Sequence, residues 1–379
     1  DCLLKYYIAT MHIKKKYYTC PMRTLECDRL ATYLKNQNNE DITLIGACTV
    51  TKDVEKHTLN AIAYAKGKMI VCGCISENIR KAAEKAGAID IFNTTELYQI
   101  FHFGDKRFPD IENTISQSTI SDEALCNRQY KSIKSYNRNL LQRIIQRNNK
   151  IPFLVIARGC NCNCSFCHSR FYIGKVKSKS IDAITAEYLG LIKKHRFINI
   201  IAEDIGSYGD DINVSLPYLL KTLDAIPRTE NVRWMLDGLQ PNNCIKFKEA
   251  LIPLFSKRRI NAMSVAVQSG SERILELMNR KTNVNAFIDT ISELRYVNSK
   301  LYLQGVFIVG FPSETDQDFL DTINLIVSCG FNDVTLIPYS EFTICDSSKF
   351  NEKIEEDIKF QRIANAESLL KTKGIQTRR

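Results

Sequence analysis

The chain has 379 residues, 44% of them apolar and 25% charged, with a formal net charge of +10. That length allows two or three globular domains, and no run of about 18 apolar residues is present to span a membrane. Fourteen cysteines without a visible secretory leader point to metal rather than disulfides. The expected compartment is therefore reducing, with the cytoplasm as the default location.

In chain order, residues 1–105 alternate short apolar runs with amphipathic stretches. Ile42–Gly46 and Met69–Val71 read as buried strands, and Asp28–Leu34 and Ser76–Ala86 carry helical spacing, with Ser76 placed as an N-cap. The alternation predicts a small N-terminal α/β domain with a parallel sheet. Residues 106–150 read as a polar, basic linker, helical at best around Leu140–Arg147.

A second α/β run fills residues 151–345. Strands are expected at Ile151–Ala157, Phe197–Ala202, Val232–Leu236, Met263–Val267, Leu303–Val309 and Val334–Pro338. Helical stretches such as Ile181–Lys194, Asn285–Val297 and Asp316–Val327 separate them. Six such units predict a (β/α)6 partial barrel, a partial TIM barrel whose chemistry sits at the C-terminal ends of the strands. Residues 346–379 are expected to form a C-terminal helix, Ile354–Lys373.

The charge is unevenly spread. Between Ala124 and Ile181 there is no acidic residue but there are twelve lysines and arginines, and without them 40 basic residues face 42 acidic ones. Two readings stay open: a solvated linker, or a surface for a polyanion or an acidic polypeptide.

Directly after the first barrel strand stands Gly159-Cys160-Asn161-Cys162-Asn163-Cys164-Ser165-Phe166-Cys167. Read as C-x3-C-x2-C, it uses Cys160, Cys164 and Cys167. Three thiolates on one loop can hold three irons of a cubane and leave the fourth open to a small chelating ligand. Cys162 is then spare. The alternative is a zinc site, although no second cysteine pair follows at the dozen-residue separation such sites use.

These residues resemble the radical S-adenosylmethionine (SAM) superfamily, and within it the methylthiotransferase family. Phe166 fits the aromatic position of the cluster loop, which lies against the adenine. Glu203 and Asp204, in Ile201-Ala202-Glu203-Asp204-Ile205-Gly206-Ser207-Tyr208-Gly209-Asp210-Asp211, match a strand-end motif near the SAM amino group. Val267-Gln268-Ser269-Gly270-Ser271 with Met278-Asn279-Arg280 is similar to the stretch that supplies ribose and carboxylate contacts, Gln268 and Arg280. Ile308-Val309-Gly310-Phe311-Pro312-Ser313-Glu314-Thr315 nearly copies a further motif, with Ser313 where the family has glycine.

The resemblance also implies an auxiliary [4Fe–4S] cluster in the N-terminal domain. The matching positions are Cys20, Cys48 and Cys74, and the choice of Cys74 over Cys72 rests on motif alignment. Thr19 and Arg23 stand where the family has glycine and asparagine. The family's C-terminal RNA-binding β-barrel, the TRAM domain, would begin near Arg379, so the chain is read as lacking it.

The cofactors implied are two [4Fe–4S] clusters and SAM. The reaction implied replaces an unactivated C–H bond with C–SCH3. No side chain is assigned as catalytic acid or base, since the cofactor carries the hard step and the protein orients and shields. The basic run favours tRNA as substrate. The missing TRAM domain and the altered Cys20 surroundings favour a peptide or ribosomal-protein side chain, and the reading leans that way. Methylthiolation of a modified adenosine in tRNA is the alternative. Of another class is a non-catalytic iron–sulfur protein that binds nucleic acid. A small reductant such as flavodoxin or ferredoxin is the expected partner, for a monomer that does not enter a membrane.

Overall fold

A computed structural model describes residues 13–17, 20–35, 41–96, 102–103, 106–107, 119–121, 150–227 and 231–378. Among these, no helix is long and apolar enough to cross a membrane. The chain divides into two compact units, Asp1–Gln117 and Ser118–Arg379.

The first unit runs β1 (Ile13–Tyr17), α1 (Pro21–Lys35), β2 (Ile42–Ala47), α2 (Lys52–Ala63), β3 (Lys68–Gly73), α3 (Glu77–Lys85) and β4 (Asp90–Asn93). Its four strands form a parallel sheet in that same order. β2 is buried throughout and β3 from Met69 onward, as strands covered on both faces must be. Ile45, Val71, Ile62 and Ile79 share its core. Thr51 and Ser76 cap α2 and α3 by accepting from the backbone N–H groups of Val54 and Ile79. A two-stranded ribbon follows, β5 (His102–Phe103) and β6 (Lys106–Arg107). The helix expected around 140–147 lies outside the described residues.

The second unit opens with β7 (Thr119–Ser121), β8 (Lys150–Val155) and β9 (Ala157–Arg158). Then come α4 (Arg170–Ile173), β10 (Lys177–Ser178), α5 (Ile181–Ile192), β11 (Phe197–Ile201), α6 (Leu216–Asp224), β12 (Arg233–Leu239), α7 (Pro241–Ser256) and β13 (Ile260–Gln268). The chain continues through α8 (Glu272–Leu277), α9 (Val284–Val297), β14 (Tyr302–Val309), α10 (Asp316–Ser328), β15 (Asp333–Pro338), α11 (Glu356–Thr372) and β16 (Gln376–Arg378). One sheet carries the strands in the order β16-β15-β14-β13-β12-β11-β8-β7.

From β8 to β16 every pairing in that sheet is parallel, and β7 joins the edge antiparallel. Each new strand adds beside its predecessor, which is the progression of a partial barrel. The six expected strands are present. The expected C-terminal helix is instead a helix followed by a strand, because β16 pairs with β15 and extends the sheet. Aliphatic side chains from successive strands and helices, including Leu154, Ile200, Leu236, Leu303 and Ile326, form one continuous core. Trp234 is fully buried there, its indole N–H donating to the Tyr188 hydroxyl at 3.2 Å.

Candidate metal centres

In the first unit, Cys20 directly precedes α1 and its carbonyl accepts the Thr24 N–H at 3.0 Å. Cys48 follows β2 and Cys74 follows β3. Because those strands are parallel neighbours in register, both loops leave the same end of the sheet. Gly73 makes the close approach possible. At its φ of +121° an added Cβ would lie 2.5 Å from the Ala47 carbonyl oxygen, and the next residue, Cys74, donates its N–H to that oxygen at 3.1 Å.

Cys48 and Cys74 are each only 5% exposed. Burial is the main reason the Cys48 thiol is pushed up to about 12, with the charge of Cys20 adding to it. Burial raises Cys74 as well, opposed by the Arg23 cation and reinforced by Cys48 and Cys20. The three thiols therefore feel one another and share Arg23 as a nearby cation. Arg23 is itself buried, donating to Glu26 Oε2 at 2.6 Å and to the Thr94 hydroxyl. Cys72 stands apart: within β3, its sulfur is 3.3 Å from that of Cys27 on α1. A crowded set of thiols beside a buried cation fits a metal centre, since a bound metal charge deprotonates coordinating thiols outright.

In the second unit the cysteine loop leaves β9 through Gly159, where an added Cβ would lie 2.1 Å from the Lys175 carbonyl oxygen. Both ends of the loop are clamped. Glu203 accepts the Gly159 N–H at 3.0 Å, and the Cys160 N–H donates to Gly174 at 3.1 Å. On the far side the Ser165 hydroxyl donates to Leu277, its N–H to Met278, and its carbonyl accepts from Ser347. Asn279 donates to the Asn163 carbonyl at 2.7 Å.

The thiols interact along the loop. The Cys162 thiol is raised to about 11, first by its contact with Cys160. Cys164 is raised by Cys162 and by burial, with the Arg280 cation acting the other way. Cys167 is raised by burial. Arg280 donates through Nε to Cys164 Sγ at 3.2 Å and through Nη1 to the Ala266 carbonyl at 2.7 Å, and its guanidinium lies 5.8 Å from the Phe166 ring centre. Donor chemistry, clamped backbone and adjacent cation again fit an iron–sulfur centre.

The remaining residues singled out by sequence stand at strand ends. Glu203 and Asp204 follow β11. Asp204 is 1% exposed; its Oδ2 accepts from Ser207 at 2.7 Å, and its Oδ1 has no hydrogen-bond partner among the described residues. Gln268 closes β13 after an irregularity in register, with a φ of +78°. That left-handed conformation is strained for a buried non-glycine residue. Arg280, read as a carboxylate contact, here touches Cys164.

Gln240 escaped sequence reasoning. It follows β12 directly and donates from Nε2 to Cys162 Sγ at 2.8 Å; its place at a strand end was the available signal. Cys345 also escaped: it is buried, contacts the Phe166 carbonyl at 3.5 Å, and carries no recognisable spacing.

The chain is similar to known proteins. Residues 154–326 match the family model of the radical SAM superfamily. The tRNA-2-methylthio-N(6)-dimethylallyladenosine synthase of Thermosipho africanus is 27% identical over 369 residues, 92% of this chain and 81% of that protein. The enzyme of the same name from Buchnera aphidicola is 24% identical over 362 residues, 91% of this chain and 80% of that protein. The chain carries a radical SAM domain and is similar over nine-tenths of its length to radical SAM methylthiotransferases. Such enzymes use SAM and [4Fe–4S] clusters, which the two thiol sets of this methylthiotransferase suit. Among solved structures, the radical SAM methyltransferase TsrM from Kitasatospora setae superimposes with a TM-score of 0.51 at 12% identity, covering 89% of this chain and 76% of that one. That likeness concerns the fold alone.

Proposed function

We propose that this methylthiotransferase acts on a modified adenosine of tRNA. Cys160, Cys164 and Cys167 would hold the SAM-binding cluster, and Cys20, Cys48 and Cys74 the auxiliary one. The observation that carries the substrate is that both relatives, aligned over nine-tenths of the chain, are named for methylthiolating dimethylallyladenosine in tRNA. The peptide side chain favoured from sequence has no comparable support and gives way to tRNA.

When bound, the clusters and SAM supply the radical and sulfur chemistry that an unactivated C–H bond demands. The protein's own residues bind and shield. Asp204 offers a buried, unpartnered carboxylate oxygen to an ammonium group. Phe166 presents a half-buried ring for an adenine to lie against. Gln268 is held at its strand end for a ribose contact, and Arg280 keeps a cation against the cluster loop. Lys175 and Lys177 leave solvent-facing charge for phosphates, whereas Arg170 and Lys179 are engaged by Asp346 and Glu187.

The test is incubation of the reconstituted enzyme with SAM, reductant and tRNA carrying the dimethylallyl modification. Mass analysis of digested nucleosides is expected to show a methylthio increment, and tRNA binding is expected to weaken by several log units per log unit of salt. A flat salt response with no nucleoside product would return the peptide reading to first place.

A further inference from the structure

Cys162 has no place in a three-thiol cluster, yet it is not idle. Its sulfur lies 3.5 Å from Asp204 Oδ2, and the sulfur of Cys160 lies 3.9 Å from the same oxygen. The three ligand atoms all fall within 4.8 Å of one another. A tetrahedral zinc ion with ordinary bond lengths would set S···O at about 3.6 Å and S···S at about 3.8 Å. Two of the three ligands have a polar partner: Ser207 donates to Asp204 Oδ2 at 2.7 Å, and Gln240 donates to Cys162 at 2.8 Å, the outer-shell support that metal ligands commonly have. Independently, the deeply buried Asp204 Oδ1 has no partner among the described residues. A buried carboxylate left with an unused acceptor points to a bound cation.

We propose that Cys160, Cys162 and Asp204 form a second, mononuclear site for a thiophilic divalent cation such as zinc, and that its occupation excludes the cluster. The site itself rests only on these three residues. The exclusion rests on the proposed cluster assignment, because the two centres share Cys160. Binding replaces the two thiol protons by the metal, and water completes the coordination. The loop thereby has two metal states, and Cys162 decides which one free zinc can impose.

Cobalt(II) is the probe, since its thiolate complexes absorb in the near ultraviolet. It is titrated anaerobically into the full-length, cluster-free chain carrying Cys48→Ala and Cys74→Ala, which removes the other thiol set. One equivalent is expected, with sulfur-to-cobalt charge-transfer absorbance. Cys162→Ser is expected to weaken it by more than the roughly ten- to hundredfold that an outer-shell partner is worth, and Asp204→Asn likewise. Cys164→Ala with Cys167→Ala leaves it in place. Cobalt binding unchanged in Cys162→Ser, or lost with Cys164→Ala and Cys167→Ala, overturns the site. In the second arm, zinc-loaded protein takes up less iron at this loop, and Cys162→Ser relieves the block. Cobalt held as expected while zinc-loaded protein builds its cluster unimpeded overturns the exclusion alone, and leaves the question to the assignment of Cys160.

Discussion

The two thiol sets proposed as cluster ligands are assembled by opposite routes. In the first unit the cysteines come from three separate places, the start of α1 and the loops after β2 and β3. They meet only because parallel neighbours end together and Gly73 lets two loops touch. In the second unit they come from one loop, clamped at both ends by Glu203, Gly174, Leu277 and Met278. Each set keeps one arginine close by, the buried Arg23 or the half-buried Arg280. The dispersed set is thus a product of tertiary folding, whereas the local set is largely written into one stretch of chain. Damage to the surrounding fold should therefore be felt first by the dispersed centre.

The largest expected effect comes from removing the local set itself. Reconstituted protein should carry about eight irons, and Cys160→Ala with Cys164→Ala and Cys167→Ala should leave about four, on the three-thiolate logic of each cluster. Iron and sulfide analysis reads this directly. An unchanged count would mean that the loop holds no cluster and that the contrast has no second member.

Next in size is Arg23→Met. It takes the guanidinium from the buried Glu26 at 2.6 Å, and breaking a buried pair by removing one partner typically costs about 3–5 kcal/mol. Urea unfolding of the first unit should shift accordingly, and the auxiliary iron should be lost while the loop's iron stays. Arg280→Met should be milder. The charge-assisted contact to Cys164 is worth on the order of 1.5–3 kcal/mol, read as a loss of that size in the urea stability of the second unit with the first undisturbed. Were Arg280→Met to strip the auxiliary iron instead, the separation of the two centres would be wrong.

What sequence could read follows the same division. The cluster loop, β2, β3 and the strand ends bearing Glu203 and Gln268 carry their signal locally, as apolar runs or fixed spacings. β1 reads Ile-Lys-Lys-Lys-Tyr and β16 reads Gln-Thr-Arg. Both lie at sheet edges, with a neighbouring strand on one side only, so nothing forces an apolar pattern on them. α2 begins on charged residues behind its Thr51 cap and shows a narrow buried face. Ser313 is legible only in retrospect. Its φ of +66° is the left-handed conformation that the family's glycine enters freely, and Arg273 holds it there through the carbonyl at 2.7 Å and the hydroxyl at 3.2 Å.

The smallest expected effect tests the dispersed set most finely. Cys72 and Cys74 are two residues apart, and sequence alignment alone chose between them. The structure separates them by environment. Cys72 lies within β3, fully buried, with its sulfur against Cys27 on α1; Cys74 lies beyond the strand, where the charges of Cys20, Cys48 and Arg23 reach it. Cys72→Ala removes one small buried side chain and its weak S–H contact. It should leave the iron count at the wild-type value and cost only about 1 kcal/mol of stability, as the deletion of a small buried group does. Cys74→Ala, a chemically identical change two residues on, should lose about four irons. The iron difference between two matched alanine variants cancels general effects of handling and folding, so it reports ligand identity alone. Auxiliary iron lost with Cys72→Ala but kept with Cys74→Ala would move the centre two residues inward along β3 and make Cys27 its neighbour.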